Sequence, residues 1–86
     1  MNPKVLRIES AHEGILILRF SNQELRQFDV RPYIDRGGVF TALATEATFA
    51  AARVVSGSVE WPGEVDLSYD TLYLRSVPVA GGREAA

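Results

Sequence analysis

Ile15-Leu16-Ile17-Leu18-Arg19-Phe20, Ser21-Asn22-Gln23-Glu24 and Leu25-Arg26-Gln27-Phe28-Asp29-Val30 run consecutively, and their reading decides the fold. Two runs rich in β-branched and aromatic residues flank a polar, turn-type segment, the signature of an antiparallel hairpin. A two-residue turn at Asn22-Gln23 predicts that Phe20 opposes Leu25, Arg19 opposes Arg26 and Ile17 opposes Phe28. One face then carries Ile15, Ile17, Phe28 and Val30, with Arg19 and Arg26 at its tip. The other carries Leu16, Leu18, Phe20 and Leu25, with Gln27 and Asp29 at its far end. Both faces are apolar enough to need cover. Helices are expected to cover one, and a second subunit or a small protein partner the other.

Upstream, Val5 to Ile8 reads as a strand joined to Ile15 through the turn at Glu13-Gly14, which completes a β-meander. Downstream, Pro32 starts a short helical turn to Asp35 that Gly37-Gly38 ends. Val39, Phe40, Leu43, Ala44, Ala47 and Ala50 recur at helical spacing, with a break at Thr45-Glu46 that divides them into two short helices. The β pattern returns in Arg53 to Val55 and Ser58 to Trp61 around Ser56-Gly57, and Pro62-Gly63 separates these from Val65-Asp66-Leu67. Ser68 caps a short helix through Leu74, with Asp70 in its first turn. The predicted class is α+β: an antiparallel β-meander followed by short helices, a second β-hairpin and a short C-terminal helix. Residues 1–76 form the domain, and residues 77–86 are expected to be a flexible, dispensable tail.

A chain of 86 residues buries only about 60–65% of its unfolded surface, so one thin core is expected. It has no cysteine to reinforce that core, and with no secretory or membrane-spanning pattern the expected location is cytoplasmic. The formal net charge of −2 argues against a nonspecific polyanion binder. Cations gather in the first 36 residues, where Lys4, Arg7, Arg19, Arg26, Arg31 and Arg36 stand against five acids.

Phe20-Ser21-Asn22, Phe28-Asp29-Val30, Gly38-Val39-Phe40, Leu43, Phe49, Trp61-Pro62-Gly63-Glu64-Val65-Asp66-Leu67 and Leu72-Tyr73 occur in this order. Together they resemble the bacterial domain of unknown function 2442 family, over about Val5 to Ser76. The family pattern has glycine where this chain has Gln23, a more Asn-Gly-like turn at Gly63-Glu64, and a proline or small residue near Tyr69. The resemblance implies a compact α+β domain that occurs alone or joined to a helix-turn-helix segment, often encoded beside another small protein in an arrangement like a toxin–antitoxin pair. This chain resembles the stand-alone form, without the helix-turn-helix segment.

The residues offer little catalytic equipment. His12 is the only imidazole, placed by the sequence in a turn beside Glu13 with no nucleophile partner, and it reads as a solvated loop residue. Glu64 and Asp66 do not make a calcium loop, and Gly37-Gly38 lacks the spacing and lysine of a phosphate cradle. No catalytic, metal or cofactor site is expected. Phe20, Phe28, Phe40 and Phe49 sit at core-like positions. Trp61 has two readings: a buried core indole, or, at a strand end before a proline, one that keeps its N–H toward water and serves as an anchor for a partner. The expectation is a non-enzymatic protein–protein interaction domain, the antitoxin-like member of a two-gene pair, using Arg19, Arg26 and Trp61. The alternatives are a nucleic-acid-associated regulator using the basic hairpin tip, and an enzyme subunit whose site a partner completes.

Overall fold

The computed structural model describes residues 1–79. Strands β1 (Val5–His12), β2 (Ile15–Phe20) and β3 (Leu25–Asp29) form the predicted meander, followed by helix α1 (Arg31–Arg36), a 3₁₀ stretch (Gly38–Ala44) and α2 (Glu46–Phe49). Strands β4 (Arg53–Val55), β5 (Ser58–Trp61) and β6 (Val65–Leu67), helix α3 (Tyr69–Leu74) and strand β7 (Val77–Pro78) complete the order. The architecture is α+β with two antiparallel sheets, in strand orders β1-β2-β3-β7 and β4-β5-β6. No helix among the described residues is long and apolar enough to cross a membrane.

The central hairpin differs from its prediction by one residue. Phe20 N–H donates to the Glu24 carbonyl and Gln23 N–H to the Phe20 carbonyl, each at 2.9 Å, so the loop holds three residues. Gln23 takes φ 74°, the left-handed position of a type I turn with a bulge. Arg19 therefore opposes Leu25, Leu18 opposes Arg26, and Leu16 opposes Phe28. A slip of one residue exchanges every side chain on one strand between faces. Leu16, Leu18, Phe20 and Phe28 are all buried on the inner face, and Arg26 goes inward with them while Arg19 stays outward.

Glycine at Gln23 would relieve a left-handed strain of about 1–2 kcal/mol at an entropic cost of about 0.5–1. Gln23→Gly is thus expected to raise the unfolding free energy by up to about 1 kcal/mol, read from urea denaturation midpoints. An unchanged or lowered midpoint would show that the loop carries no such strain.

Strand β1 runs to His12, four residues past the predicted end, because bulges between Val5 and Arg7 and between Ile8 and Ser10 let it stay paired with β2. The turn Ser56-Gly57 has φ 52° and 81°, and Gly57 accepts the Val5 amide at 2.9 Å, tying the two sheets together. Ser68 caps α3 as predicted, its hydroxyl accepting from Thr71 N–H. Val59, Trp61, Val65 and Leu67 of the second sheet join Leu43, Phe49, Leu72 and the inner face of the first sheet in one buried cluster.

The expected tail boundary after Ser76 is corrected. Gln27 pairs with Val77 and Arg26 with Pro78, and Val79 N–H donates to the Leu25 carbonyl at 3.0 Å. Residues 77–79 are therefore part of the sheet, because Ser76 is held by Arg26 and delivers the chain to the β3 edge. The rest of the expected tail, residues 80–86, lies outside the described residues.

Candidate functional site

Among the described residues, no layer packs on the outer face of the first sheet. Pairing places Ile15 between His12 and Asp29, Ile17 between Ser10 and Gln27, and Arg19 between Arg7 and Leu25, with Val77 beside Gln27. Ile15, Ile17 and Leu25 are half-buried, Val77 is 57% exposed, and all four lie outside the core cluster and its packed neighbours. The patch is apolar at its middle and charged at both ends.

At one end Arg7 Nε meets Glu9 Oε2 at 2.9 Å and Arg19 Nε lies 3.6 Å from the same oxygen. Arg19 is mostly buried, and its Nη1 donates to the Gln23 carbonyl at 2.9 Å, closing the hairpin loop. At the other end Asp29 accepts three hydrogen bonds from Arg31, through its amide and its guanidinium. The Arg31 guanidinium holds the Asp29 carboxyl below its usual range.

His12 stands at this second end as a clasp. Its Nδ1 lies 2.6 Å from Glu46 Oε2 and its Nε2 2.9 Å from Glu13 Oε1, while Glu13 N–H donates to Glu46 at 3.1 Å. Glu46 at the start of α2 thus holds the β1–β2 turn. Its hydrogen bond, then its charge, raises the His12 pKa above 6.5. A raised folded-state value means that the clasp contributes fully below the unfolded pKa and is lost as pH rises through the folded one. Imidazole proton NMR is expected to give a His12 pKa above 6.5 that falls in Glu46→Gln, and a pKa indifferent to that change would disprove the clasp.

The three predicted partner-binding residues do not come together. Arg26 faces inward: its Nε donates to Ser76 Oγ at 2.6 Å, Nη2 to the Ser76 carbonyl at 2.9 Å and Nη1 to Glu24 at 2.7 Å. Its guanidinium also lies 4.6 Å from the Tyr73 ring centre. Trp61 is 1% exposed, stacks on Phe49 at 5.8 Å and donates Nε1–H to the Phe49 carbonyl at 2.9 Å. The expected wet N–H is satisfied inside the core, so Trp61 is no surface anchor. The basic hairpin tip likewise dissolves, because Arg19 and Arg26 lie on opposite faces and are committed to the loop and to Ser76.

The residues missed by sequence are Ile15, Ile17, Leu25 and Val77. Alternation alone gives two apolar sets on β2 and does not say which turns outward, and Val77 falls in the supposed tail. A concavity of about 580 Å³ runs over the outer side of the second sheet beside Glu60, Glu64 and Asp66, where Arg53 pairs with Glu60 at 2.8 Å. Among the described residues, no group of three or more His, Asp or Glu side chains is arranged to hold a metal ion.

The family model described as Protein of unknown function (DUF2442) matches residues 6–78. The chain belongs to this family. The DUF2442 match spans the three-stranded meander, both hairpins and β7 down to Pro78, so β7 falls within the family's extent. No curated protein and no solved structure matches the chain.

Proposed function

We propose that this DUF2442 domain is a non-enzymatic protein–protein interaction module that works through the outer face of its first sheet. The observation that supports it is the patch of Ile15, Ile17, Leu25 and Val77, which lies outside the core cluster while the helices and the second sheet contribute their buried residues to the inner side. Apolar surface at the middle of a polar-rimmed face is the anatomy of a contact surface. The finer form of the reading is that of an antitoxin-like partner that masks a companion protein, and it rests on the family resemblance. A role in nucleic-acid binding loses its main support, since the arginines meant to carry it are spent within the fold.

The test is site-specific photo-crosslinking in cells, with the photoreactive residue at Ile17 and, as a control, at Val55 on the second sheet. A discrete protein adduct is expected from position 17 and not from position 55. Equal or absent crosslinking at the two positions would sink the reading.

A further inference from the structure

We infer that the His12 clasp is a proton-operated latch: the imidazolium holds residues 38–46 closed against the core, and the neutral ring lets that segment open. Both ring nitrogens face carboxylate oxygens, Nδ1 that of Glu46 at 2.6 Å and Nε2 that of Glu13 at 2.9 Å. Only the imidazolium has two N–H donors, and a neutral ring turns a lone pair on one of the two carboxylates. Loss of the proton therefore breaks one contact and leaves Glu13 and Glu46 as like charges beside an uncharged ring. The cations of the flanking elements are committed elsewhere. Arg31 of α1 is held by Asp29 at 2.8 Å and feels Asp35 as well, Arg36 lies over the Tyr33 ring, Arg53 of β4 pairs with Glu60, and Arg7 of β1 pairs with Glu9.

The latch grips the far end of a segment that has a joint on each side. Gly37 and Gly38 take φ 86° and 67°, and a side chain at Gly38 would meet nothing within 4 Å, so glycine serves the backbone there and not the packing. Thr45, between the 3₁₀ stretch and α2, is extended at φ −83° and ψ 123° and makes no side-chain cap bond. Among the described residues, no hydrogen bond or ion pair ties residues 38–44 to either sheet. Their hold is apolar, through Leu43 in the core and Phe40 at 5.4 Å from the Tyr33 ring. Glu46 supplies the polar tie, to His12 and to the Glu13 amide. Segments with few such ties open first in a folded protein. The latch is fully set below the unfolded His12 value of 6.5 and released as pH rises through the higher folded one.

The experiment is amide hydrogen exchange of the full chain by NMR, from about pH 6 to about pH 8.5, the range in which histidine titrates. Rates are expressed as protection factors, which divide out the base catalysis of exchange itself. Four amides report the latch: Glu13, bonded to the Glu46 carboxylate, and Thr45, Phe49 and Ala50, bonded to the carbonyls of Ala42, Thr45 and Glu46. Their protection is expected to fall about two- to fivefold across this range, the size that an exposed ion pair supports, while the β2 amides keep theirs. His12→Gln and Glu46→Gln, both at exposed side chains, are expected to give the lower protection at every pH, with circular dichroism unchanged. Protection independent of pH in the wild type would overturn the latch, as would an equal fall in His12→Gln. A fall confined to Glu13, with Thr45, Phe49 and Ala50 steady, would also overturn it, since the proton would then act on the turn alone.

Discussion

Trp61→Ala is expected to lower the unfolding free energy by about 3–5 kcal/mol, the range for deleting a large buried aromatic. The indole is 1% exposed, stacks on Phe49 and donates to the Phe49 carbonyl, so three losses coincide: apolar burial, ring contact and a buried hydrogen bond. That bond fixes the end of α2 against β5. A domain of this size has a total stability of about 5–15 kcal/mol, which makes the loss a large part of the whole. Trp61→Phe keeps one ring for the stack and removes the donor together with part of the indole's volume, with an expected cost of about 1–3 kcal/mol, below that of alanine. Far-UV circular dichroism against urea measures both, because the substitutions remove the fluorophore. A midpoint unchanged in the alanine variant would contradict the burial of the indole.

The elements were legible where local chemistry and tertiary packing agree. Ile15–Phe20, both strands around Ser56-Gly57, Val65–Leu67 and the Ser68 cap follow from alternation and turn residues, and they lie where these place them. The break at Thr45 follows from the change of spacing. The register of the central hairpin was not legible from the chain's own residues, because Gln23 does not mark the left-handed conformation as glycine does, and the glycine that the family pattern has at this position was its one sign. That single residue decided which face each arginine occupies, and with it the candidate site. Trp61 stayed open between core and anchor for a different reason. A strand-end position before proline suggests a wet indole, but its hydrogen-bond acceptor lies twelve residues earlier in the chain, at Phe49, and only the fold brings the two together. Strand β7 was hidden because two residues carry too little pattern to register, and its place comes from the long-range grip of Arg26 on Ser76.

That grip makes the second large prediction. Arg26→Met is expected to cost about 2 kcal/mol, below the 3–5 typical of breaking a fully buried ion pair, because the Arg26 and Glu24 side chains retain 13% and 17% exposure. Methionine keeps much of the stem's packing, so the loss reports the guanidinium's bonds to Glu24 and Ser76 and its contact with Tyr73. The pH dependence identifies the share owed to Glu24. The Tyr73 hydroxyl, donating at 2.5 Å, and secondarily Arg26 hold the Glu24 carboxyl below 4.5. A depressed folded-state value means that this stabilisation is present above the unfolded pKa and is lost as pH falls through the folded one. The gap between wild type and Arg26→Met is therefore expected to narrow in acid, down to the part contributed by Ser76. Release of Ser76 should also free β7, so the Val79 amide, bonded to Leu25 in the wild type, is expected to exchange its hydrogen faster in the variant while the β2 amides change only with global stability. A gap constant through the acid range, or a Val79 amide no faster than its neighbours, would mean that Arg26 does not join the loop, α3 and the edge strand into one unit.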